Sequence, residues 1–370
     1  MIRLADIDPK IIENHKLYAE LVYERELNQK KGDKRFNIDY KFLENELKEV
    51  VDKECGNFLQ MLLKDIKNIV SLKPAEMDTF NKSIEKDYPN IFRFFQTGNG
   101  NKYNLKQYSL TKKIVKTVFN YDKFIQASTT ISQEQKWGAY TLVKELDVNI
   151  CPYCQRSFVH TYYSDEGKVR PTLDHFLDKD KHPYFAISIY NLIPSCYNCN
   201  SSFKKSLPFK TTTHLHPYVE GAEDAVFFKL NPKRKCSTKE CTCEECYQLT
   251  DLLVGDYDVV MEFDNAADSV LLEKIKRNIE VFKLDKLYGY HTYYIDEILR
   301  QSQIYTEEHI KQLGQLEMFN GDPDVREILL GFKSEGTSYQ YKIHNNEQVL
   351  AKLLYDIRKD LGLMSSPLFR

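Results

Sequence analysis

The sequence predicts an α+β protein in which a short β-rich region with paired cysteines interrupts a mainly α-helical chain. Apolar residues recur every three or four positions over residues 1–146 and again from residue 265, which is typical of amphipathic helices. Between these regions, short aromatic and β-branched runs alternate with turns, which indicates strands. Two C-x-x-C pairs fall inside this stretch. We therefore predict four parts: a helical region (1–146), a compact module (147–210), a β-rich insertion (211–264) and a second helical region (265–370).

The first helical region is predicted to begin with a helix running from Pro9 to about Asn28. Asp8 is a suitable cap for it, and proline suits a first helical turn. A second, longer helix is expected over residues 37–70, where apolar side chains keep the helical spacing. Cys55 falls among these apolar positions, so we predict that it is a core residue and not a metal ligand.

Shorter patterns predict the remaining elements. Ser132 and Gln135 resemble a capping box, which predicts a helix from there to Leu146 that contains Trp137. Strands are predicted in the runs FVHTYY, PYFAISIY, AVFFKL and DYDVVMEF. After residue 265, helical spacing is found in the segments LLEKIKRNIEVFKL, TYYIDEILRQSQIY, DVREILLGF and EQVLAKLLYDIRKDL.

Composition and motif content indicate which classes of protein the chain could belong to. With 42% hydrophobic and 29% charged residues among 370, the chain is expected to be folded. Its start lacks the apolar core of a signal peptide, and no apolar run is long enough to span a bilayer, which predicts a cytoplasmic protein. The net charge of −2 gives no overall attraction to nucleic acid, so such binding needs a local basic patch. The sequence has no GxxxxGK[ST] loop, so any ATP would have to be bound by a partner.

The nine cysteines indicate metal binding. Eight of them lie in tight groups within one hundred residues, in a chain that lacks the short length and signal peptide of a disulfide framework. Cys151, Cys154, Cys196 and Cys199 form two knuckles, the arrangement that structural zinc takes with four thiolates. A second group has irregular spacing, and it fits either a second zinc or a reduced surface loop. Its members are Cys236, Cys241, Cys243 and Cys246.

Residue types between and beside the two knuckles suggest phosphodiester chemistry. Asp174 and His175 end a predicted strand, Asn191 begins the segment that leads to the second knuckle, and Asn200 directly follows Cys199. Hydrolysis of a phosphodiester needs a base that titrates near neutrality, and histidine has such a pKa without any perturbation. It also needs a cation, for which carboxylate and amide oxygens are hard ligands suited to magnesium.

The motif LDHF…NLIPSCYNCNSSFKK resembles that of HNH endonucleases, the zinc-braced branch of the His-Me finger nucleases. The resemblance covers residues 151–210 and implies a ββα-metal module built on a structural zinc. It implies that His175 is the general base, that Asp174 and Asn200 hold a catalytic Mg²⁺ or Mn²⁺ ion, and that Asn191 fixes a loop. One position departs from the pattern, since Asp178 stands where related sequences often have proline.

The resemblance also implies a function. It predicts an endonuclease that cuts DNA, and it suggests the effector of an anti-phage defence system in which an ATPase is the partner. Two alternatives remain open: cleavage of RNA such as tRNA, because attack on phosphorus does not distinguish the sugars, and a non-catalytic zinc module that binds nucleic acid or a partner.

Two further expectations concern the geometry of the site. Residues 151–210 hold eight basic and five acidic residues, so Lys204, Lys205 and Arg170 are predicted to contact the nucleic-acid backbone. Neighbouring strand residues point to opposite faces. Asp174 and His175 are therefore expected to lie where the strand twists or breaks, so that both can face one phosphate.

Overall fold

The structure is a computed structural model, which describes residues 1–28, 42–100, 104–126, 128–133, 135–222, 225–233, 257–304, 307–315 and 348–361. It is rich in helices and contains small antiparallel sheets of two strands each, which confirms the α+β class. The chain divides into two compact units. The first comprises Arg3–Tyr153 and Phe158–Gly221, and the second Met1–Ile2, Cys154–Ser157 and Ala222–Arg370. The predicted four-part division remains a prediction.

Nine helices of the first unit lie within its described residues. They are α1 (Pro9–Asn28), α2 (Phe42–Lys48), α3 (Lys53–Lys64), α4 (Ile66–Ile69), α5 (Pro74–Asp87), α6 (Pro89–Thr97), α7 (Leu105–Val118), α8 (Tyr121–Gln126) and α9 (Ala139–Leu146). The α1 helix begins at the predicted proline, and the Asp8 carboxylate accepts a hydrogen bond from the backbone N–H of Lys10. Their apolar faces form the core of this unit, in which the side chains of Phe58, Leu62 and Ile69 are fully buried.

The single helix predicted over residues 37–70 is wrong within its described part. The Asp52 carboxylate accepts a hydrogen bond from the backbone N–H of Cys55, so it caps a new helix there. Asp65 then ends that helix, and α4 follows at once. Helical spacing of apolar residues continues across both breaks, which is why periodicity alone did not locate them. Cys55 is fully buried, as predicted for a core residue.

The helix predicted from Ser132 also begins later than expected. Lys136 and Trp137 form a short strand, β2 (Lys136–Trp137), which pairs with β1 (Thr129–Thr130). The backbone is fully extended at Gly138 and becomes helical only in α9. The buried Trp137 indole N–H donates a hydrogen bond to Nδ1 of His15, 3.1 Å away.

The predicted module contains two hairpin-like pairs of strands. The first joins β3 (Tyr162–Tyr163) to β4 (Lys168–Val169), and the second joins β5 (Thr172–His175) to β6 (Leu192–Ser195). The run PYFAISIY is not a strand but forms two short 3₁₀ turns, Pro183–Phe185 and Ile189–Asn191. Its side chains are buried at consecutive positions, so the alternation of a half-exposed strand is missing. A π-helix, Asn198–Lys204, follows the second strand pair.

In the second unit, the runs AVFFKL and DYDVVMEF form strands as predicted, β7 (Val226–Pro232) and β8 (Tyr257–Phe263), and the structure pairs them antiparallel. The described helices of this unit are Ser269–Phe282, Leu284–Leu287, Thr292–Ile304, Glu307–Gly314 and Ala351–Asp360. The predicted helix in DVREILLGF lies outside the described residues. Within the described ranges, no helix combines the length and the apolar character needed to cross a membrane.

Candidate active site and metal centre

The four cysteines of the two knuckles come together, as the sequence predicts. The Sγ atoms of Cys151, Cys154, Cys196 and Cys199 all lie within 4.8 Å of one another. Zinc–sulfur bonds of about 2.3 Å in a tetrahedron place sulfur atoms about 3.8 Å apart, so only a small contraction would enclose the ion. Three of the four side chains are buried, and Cys196 is partly exposed. A four-thiolate set in this arrangement fits a closed structural zinc site.

Local backbone geometry forms the first knuckle. Cys154 lies in a tight turn, and Gln155 adopts a left-handed conformation with φ 53°. The Cys154 Sγ atom accepts a hydrogen bond from the backbone N–H of Arg156, 3.4 Å away. Such a bond stabilises a thiolate because the donor is directed at the sulfur charge.

Asp174 is a buried carboxylate whose two oxygens both have partners. Its Oδ2 accepts a hydrogen bond from the hydroxyl of Tyr153 at 2.6 Å, and its Oδ1 lies 3.0 Å from the Lys204 ammonium. That ammonium also donates to the backbone carbonyl of His175 at 2.6 Å. Burial raises the pKa of Tyr153 well above its ordinary value, and the Asp174 charge acts in the same direction. The predicted carboxylate ligand is therefore already paired with a cation.

His175 is held by one ring nitrogen. Its Nε2 lies 2.8 Å from the carbonyl oxygen of Ala186, an acceptor, so the neutral ring must carry its proton on Nε2. No partner for Nδ1 occurs among the residues that the structure describes, and its lone pair is left to accept a proton. Burial lowers the pKa of His175 to about 3, against the opposing effect of the Ala186 hydrogen bond, and the charges of Lys179 and Lys204 lower it further. The imidazole is therefore unprotonated at neutral pH.

Asp174 and His175 are the last two residues of β5, so the pair lies where the strand passes into the loop, although the strand does not break between them. Both residues belong to β5, where they pair with Ile193 and Leu192 of β6, and the bend follows only after His175. Their side chains accordingly meet different partners, as alternation along a strand requires. The two residues are linked instead through the Lys204 ammonium, which bonds one side chain and the other backbone.

Asn191 fixes the loop that joins β5 to β6. It is fully buried, and its Oδ1 accepts a hydrogen bond from the backbone N–H of Leu177 at 2.7 Å. Its Nδ2 donates to the carbonyls of Leu177 at 3.1 Å and Phe185 at 2.9 Å. The loop carries Ala186, so Asn191 also fixes the carbonyl that orients His175. Asp178 supports the start of the loop, since its carboxylate accepts the backbone N–H of Asp180.

The remaining predicted residues have varied environments. Asn200 is half-buried in the π-helix, which contacts β5, and its role as an ion ligand remains a prediction. Lys204 is 1% exposed, so the prediction that it faces a nucleic-acid backbone is wrong in this structure: its ammonium is used by Asp174. Lys205 is exposed, and the Arg170 guanidinium carbon lies 5.4 Å from the ring centre of Tyr140. The second cysteine group (236, 241, 243 and 246) lies outside the described residues.

Three residues of the site were missed by sequence reasoning. Tyr153 contacts Asp174, and its place inside C-P-Y-C was the available signal. Tyr121 packs its ring edge-on against His175, with ring centres 4.4 Å apart, and the Lys179 ammonium lies 4.6 Å from the centre of the Tyr121 ring. Tyr121 belongs to α8, more than fifty residues before His175, and no local pattern relates the two.

Comparison of the chain with protein-family models, with curated proteins and with solved structures finds no match. A functional proposal therefore depends on the geometry of these residues and on the motif that they form.

Proposed function

We propose that the chain is a metal-dependent endonuclease of the HNH type, which hydrolyses phosphodiester bonds in DNA. The observation that supports it most directly is the state of His175. A ring whose Nε2–H is anchored on the Ala186 carbonyl has Nδ1 as its basic atom, and burial keeps it neutral. A general base needs a free lone pair on an unprotonated nitrogen, but a pKa of about 3 lies below the near-neutral range that suits this role best, so the support comes from the geometry of the ring.

The proposed reaction begins with a water molecule near Nδ1 of His175. As the water oxygen attacks phosphorus, Nδ1 accepts one of its protons and a P–O bond forms, while the bond from phosphorus to the 3′ oxygen breaks and that oxygen takes a proton from solvent water. The products are a 5′-phosphate and a 3′-hydroxyl, as the resemblance implies. Asn191 acts indirectly, because it holds the loop whose carbonyl orients the imidazole.

We propose that Asp174 and Asn200 hold the catalytic Mg²⁺ or Mn²⁺ ion. When bound, such an ion would stabilise charge on the phosphate and on the leaving oxygen. For Asp174 to bind it, Lys204 must first release the carboxylate, since both carboxylate oxygens are engaged. A zinc ion held by the four cysteines would have a separate, structural role, since its ligands come from the first knuckle, which carries Tyr153, and from the segment around the π-helix, which carries Asn200 and Lys204.

Two alternatives remain. The buried ion pair between Lys204 and Asp174 favours a non-catalytic zinc module, because it satisfies the carboxylate without a divalent ion. Cleavage of RNA such as tRNA is equally compatible with attack on phosphorus. The partner ATPase and the role in phage defence belong to the same proposal and rest on the motif alone.

A cleavage assay tests the proposal. The full chain would be incubated with plasmid, single-stranded DNA and tRNA, in the presence of Mg²⁺, Mn²⁺ or EDTA, and the His175→Ala variant would run beside it. We expect cuts that need the divalent ion and His175, with zinc content equal in the two proteins. Cleavage of tRNA alone would move the proposal to RNA, and no cleavage of any substrate, with or without a partner, would favour the binding module.

A further inference from the structure

A basic and aromatic groove lies on the first unit, beside the strand pair that precedes β5. Its volume is about 630 Å³, and it runs between the end of α8, the start of α9 and the hairpin of β3 and β4. It lies in the same unit as His175. None of its lining residues has a part in the reaction proposed for His175.

Three tyrosines present aromatic surface at this groove. Tyr162 and Tyr163 are 54% and 59% exposed, although tyrosine side chains usually bury most of their ring. The ring centres of Tyr163 and Tyr140 lie 5.1 Å apart, so strand β3 and helix α9 bring two rings side by side. The rings of Tyr140 and Tyr163 form an aromatic pair with planes at 57°, and Tyr162 adds an exposed ring to the lining of the groove.

Positive charge surrounds these rings. Among the described residues that line the groove, Lys136, Lys144 and Lys168 are basic and Glu145 is acidic, and all four side chains are exposed. The Lys168 ammonium lies 4.6 Å from the centre of the Tyr163 ring. The Arg170 guanidinium likewise lies 5.4 Å from the centre of the Tyr140 ring. A net charge of −2 for the whole chain makes this local excess of cations distinctive.

We propose that this groove binds an unpaired strand of nucleic acid, with bases stacked on Tyr140 and Tyr163 and phosphates beside the lysines. Exposed rings next to cations suit this ligand because every base has a stacking face and every nucleotide a negative charge. A duplex fits less well, since its base faces are covered by one another. An acidic peptide would use the lysines but would leave the tyrosine rings without a partner.

Helix α8 links the groove to the site of His175. It begins at Tyr121, whose ring contacts His175, and ends at Gln126, which lines the groove. Five residues of helix span roughly 8 Å. A strand that extends beyond the Gln126 end of the groove and follows this helix would therefore approach the candidate base. This inference rests on the proposed function and names its substrate as a single strand or a locally unpaired duplex.

Binding can be measured apart from cleavage. The full chain carrying His175→Ala would be titrated, without added divalent ion, into a fluorescent 15-nucleotide oligothymidine, an oligouridine of equal length and a matched duplex. Anisotropy gives each dissociation constant, and repeating the oligothymidine titration at several salt concentrations gives the number of phosphate contacts. Tyr163→Ala and Lys144→Glu test the groove in this background. Tyr290→Ala, at a tyrosine that is 79% exposed elsewhere, and Lys86→Glu, at another exposed lysine, are the matched controls.

We expect Tyr163→Ala to weaken oligothymidine binding by about 5- to 150-fold, the usual effect of losing one stacked base. Lys144→Glu should lower the salt slope by about 0.7 for each phosphate contact that is lost. Similar binding of oligouridine would show that the sugar is not read. Equal binding by the groove variants and their controls would overturn the proposal, as would a duplex that binds as tightly as the single strand.

The two proposals fail separately. Binding that depends on Tyr163, in a chain whose unsubstituted form cuts nothing, keeps the groove and removes the nuclease. Cleavage by the unsubstituted chain, with binding unaffected by Tyr163 and Lys144, keeps the nuclease and removes the groove. Circular dichroism of each variant shows whether a loss of binding reflects the groove or unfolding.

Discussion

His15 and His175 are two histidines of the same unit that are held in nearly the same way. Nε2 of His15 lies 2.6 Å from the carbonyl of Ile187, and Nε2 of His175 lies 2.8 Å from the carbonyl of Ala186, the preceding residue. Burial lowers both pKa values, to about 4 for His15 and about 3 for His175. Both rings are therefore neutral at pH 7, with the proton on Nε2.

The two rings differ at Nδ1. The Trp137 indole N–H donates to Nδ1 of His15, so both nitrogens of that ring are used within the core. Nδ1 of His175 has no such donor among the described residues, and Tyr121 and Lys179 lie nearby. A buried histidine with two partners is a structural residue, whereas one with a spare lone pair is a candidate base. A lowered pKa is common to both rings and does not distinguish them, although His15 is fully buried and His175 only half-buried.

The largest effect is expected from a substitution that removes one of the four candidate zinc ligands. Cys151→Ser takes away one thiolate, and structural zinc sites contribute about 10–16 kcal/mol of apparent binding energy in small peptides. We expect loss of zinc and unfolding of the part that holds His175. Trp137 is the only tryptophan and contacts His15, so its fluorescence reports whether the His15 site unfolds with it. A variant that keeps full zinc content and a native emission spectrum would contradict this prediction.

Substitution of each histidine tests the comparison directly. We expect His175→Ala to lower the cleavage rate by about 10²–10⁴-fold, the usual contribution of a general base, while the protein stays folded. His15→Ala leaves the Trp137 donor buried without its acceptor, so it should lower stability and leave the cleavage rate of the folded protein nearly unchanged. Rates and urea unfolding would be measured for both. Equal losses of cleavage would show that the spare Nδ1 does not define the base.

A third prediction concerns the lysine that supports His175. Lys204 forms a buried ion pair with Asp174. A second buried pair serves as a comparison, since the Lys352 ammonium lies 2.5 Å from the Asp356 carboxylate. Removing one partner of a buried pair costs about 3–5 kcal/mol, so Lys204→Met and Lys352→Met should both destabilise. Lys204 bonds the His175 carbonyl as well, and we expect its loss to impair cleavage more than the loss of Lys352 does.

The same pair of variants tests the proposed ion. If Asp174 binds a divalent cation once Lys204 has gone, Mn²⁺ should raise the melting temperature of Lys204→Met and have little effect on Lys352→Met. Equal responses of the two variants to Mn²⁺ would argue against Asp174 as an ion ligand.

The smallest expected effect is a pH dependence of stability from His15. Its pKa is about 4 in the folded protein, against 6.5 for an unperturbed histidine, so the unfolded state binds the proton more readily. The corresponding stability is present above pH 6.5 and is lost as the pH falls toward 4, up to about 3 kcal/mol. His15→Gln keeps a donor and an acceptor without titrating, and it should flatten the loss. His175 and His182 also have lowered pKa values, so part of the slope should remain. An unchanged slope in the variant would be the contrary result.

Much of the architecture could be predicted because its causes are local. Asp8 with Pro9 fixes the start of α1, and alternating residues define β7 and β8. The two C-x-x-C pairs identify a zinc site without further context, because four soft thiolates at that spacing have few other uses. Where local signals compete, prediction fails: the capping by Asp52 and the extended Gly138 interrupt patterns that look continuous.

The sequence by itself determined the helical flanks, the cysteine knuckles and the order of Asp174, His175, Asn191 and Asn200, because each depends on neighbours along the chain. Only the tertiary structure decided that Lys204 is buried against Asp174. The same is true of the consecutive carbonyls of Ala186 and Ile187, which accept hydrogen bonds from His175 and His15. It also decided that Trp137 donates to the second ring nitrogen of His15. These contacts join residues from 11 to 172 positions apart. The path of the folded chain sets them, and burial makes each hydrogen bond decisive for the chemistry of its partner.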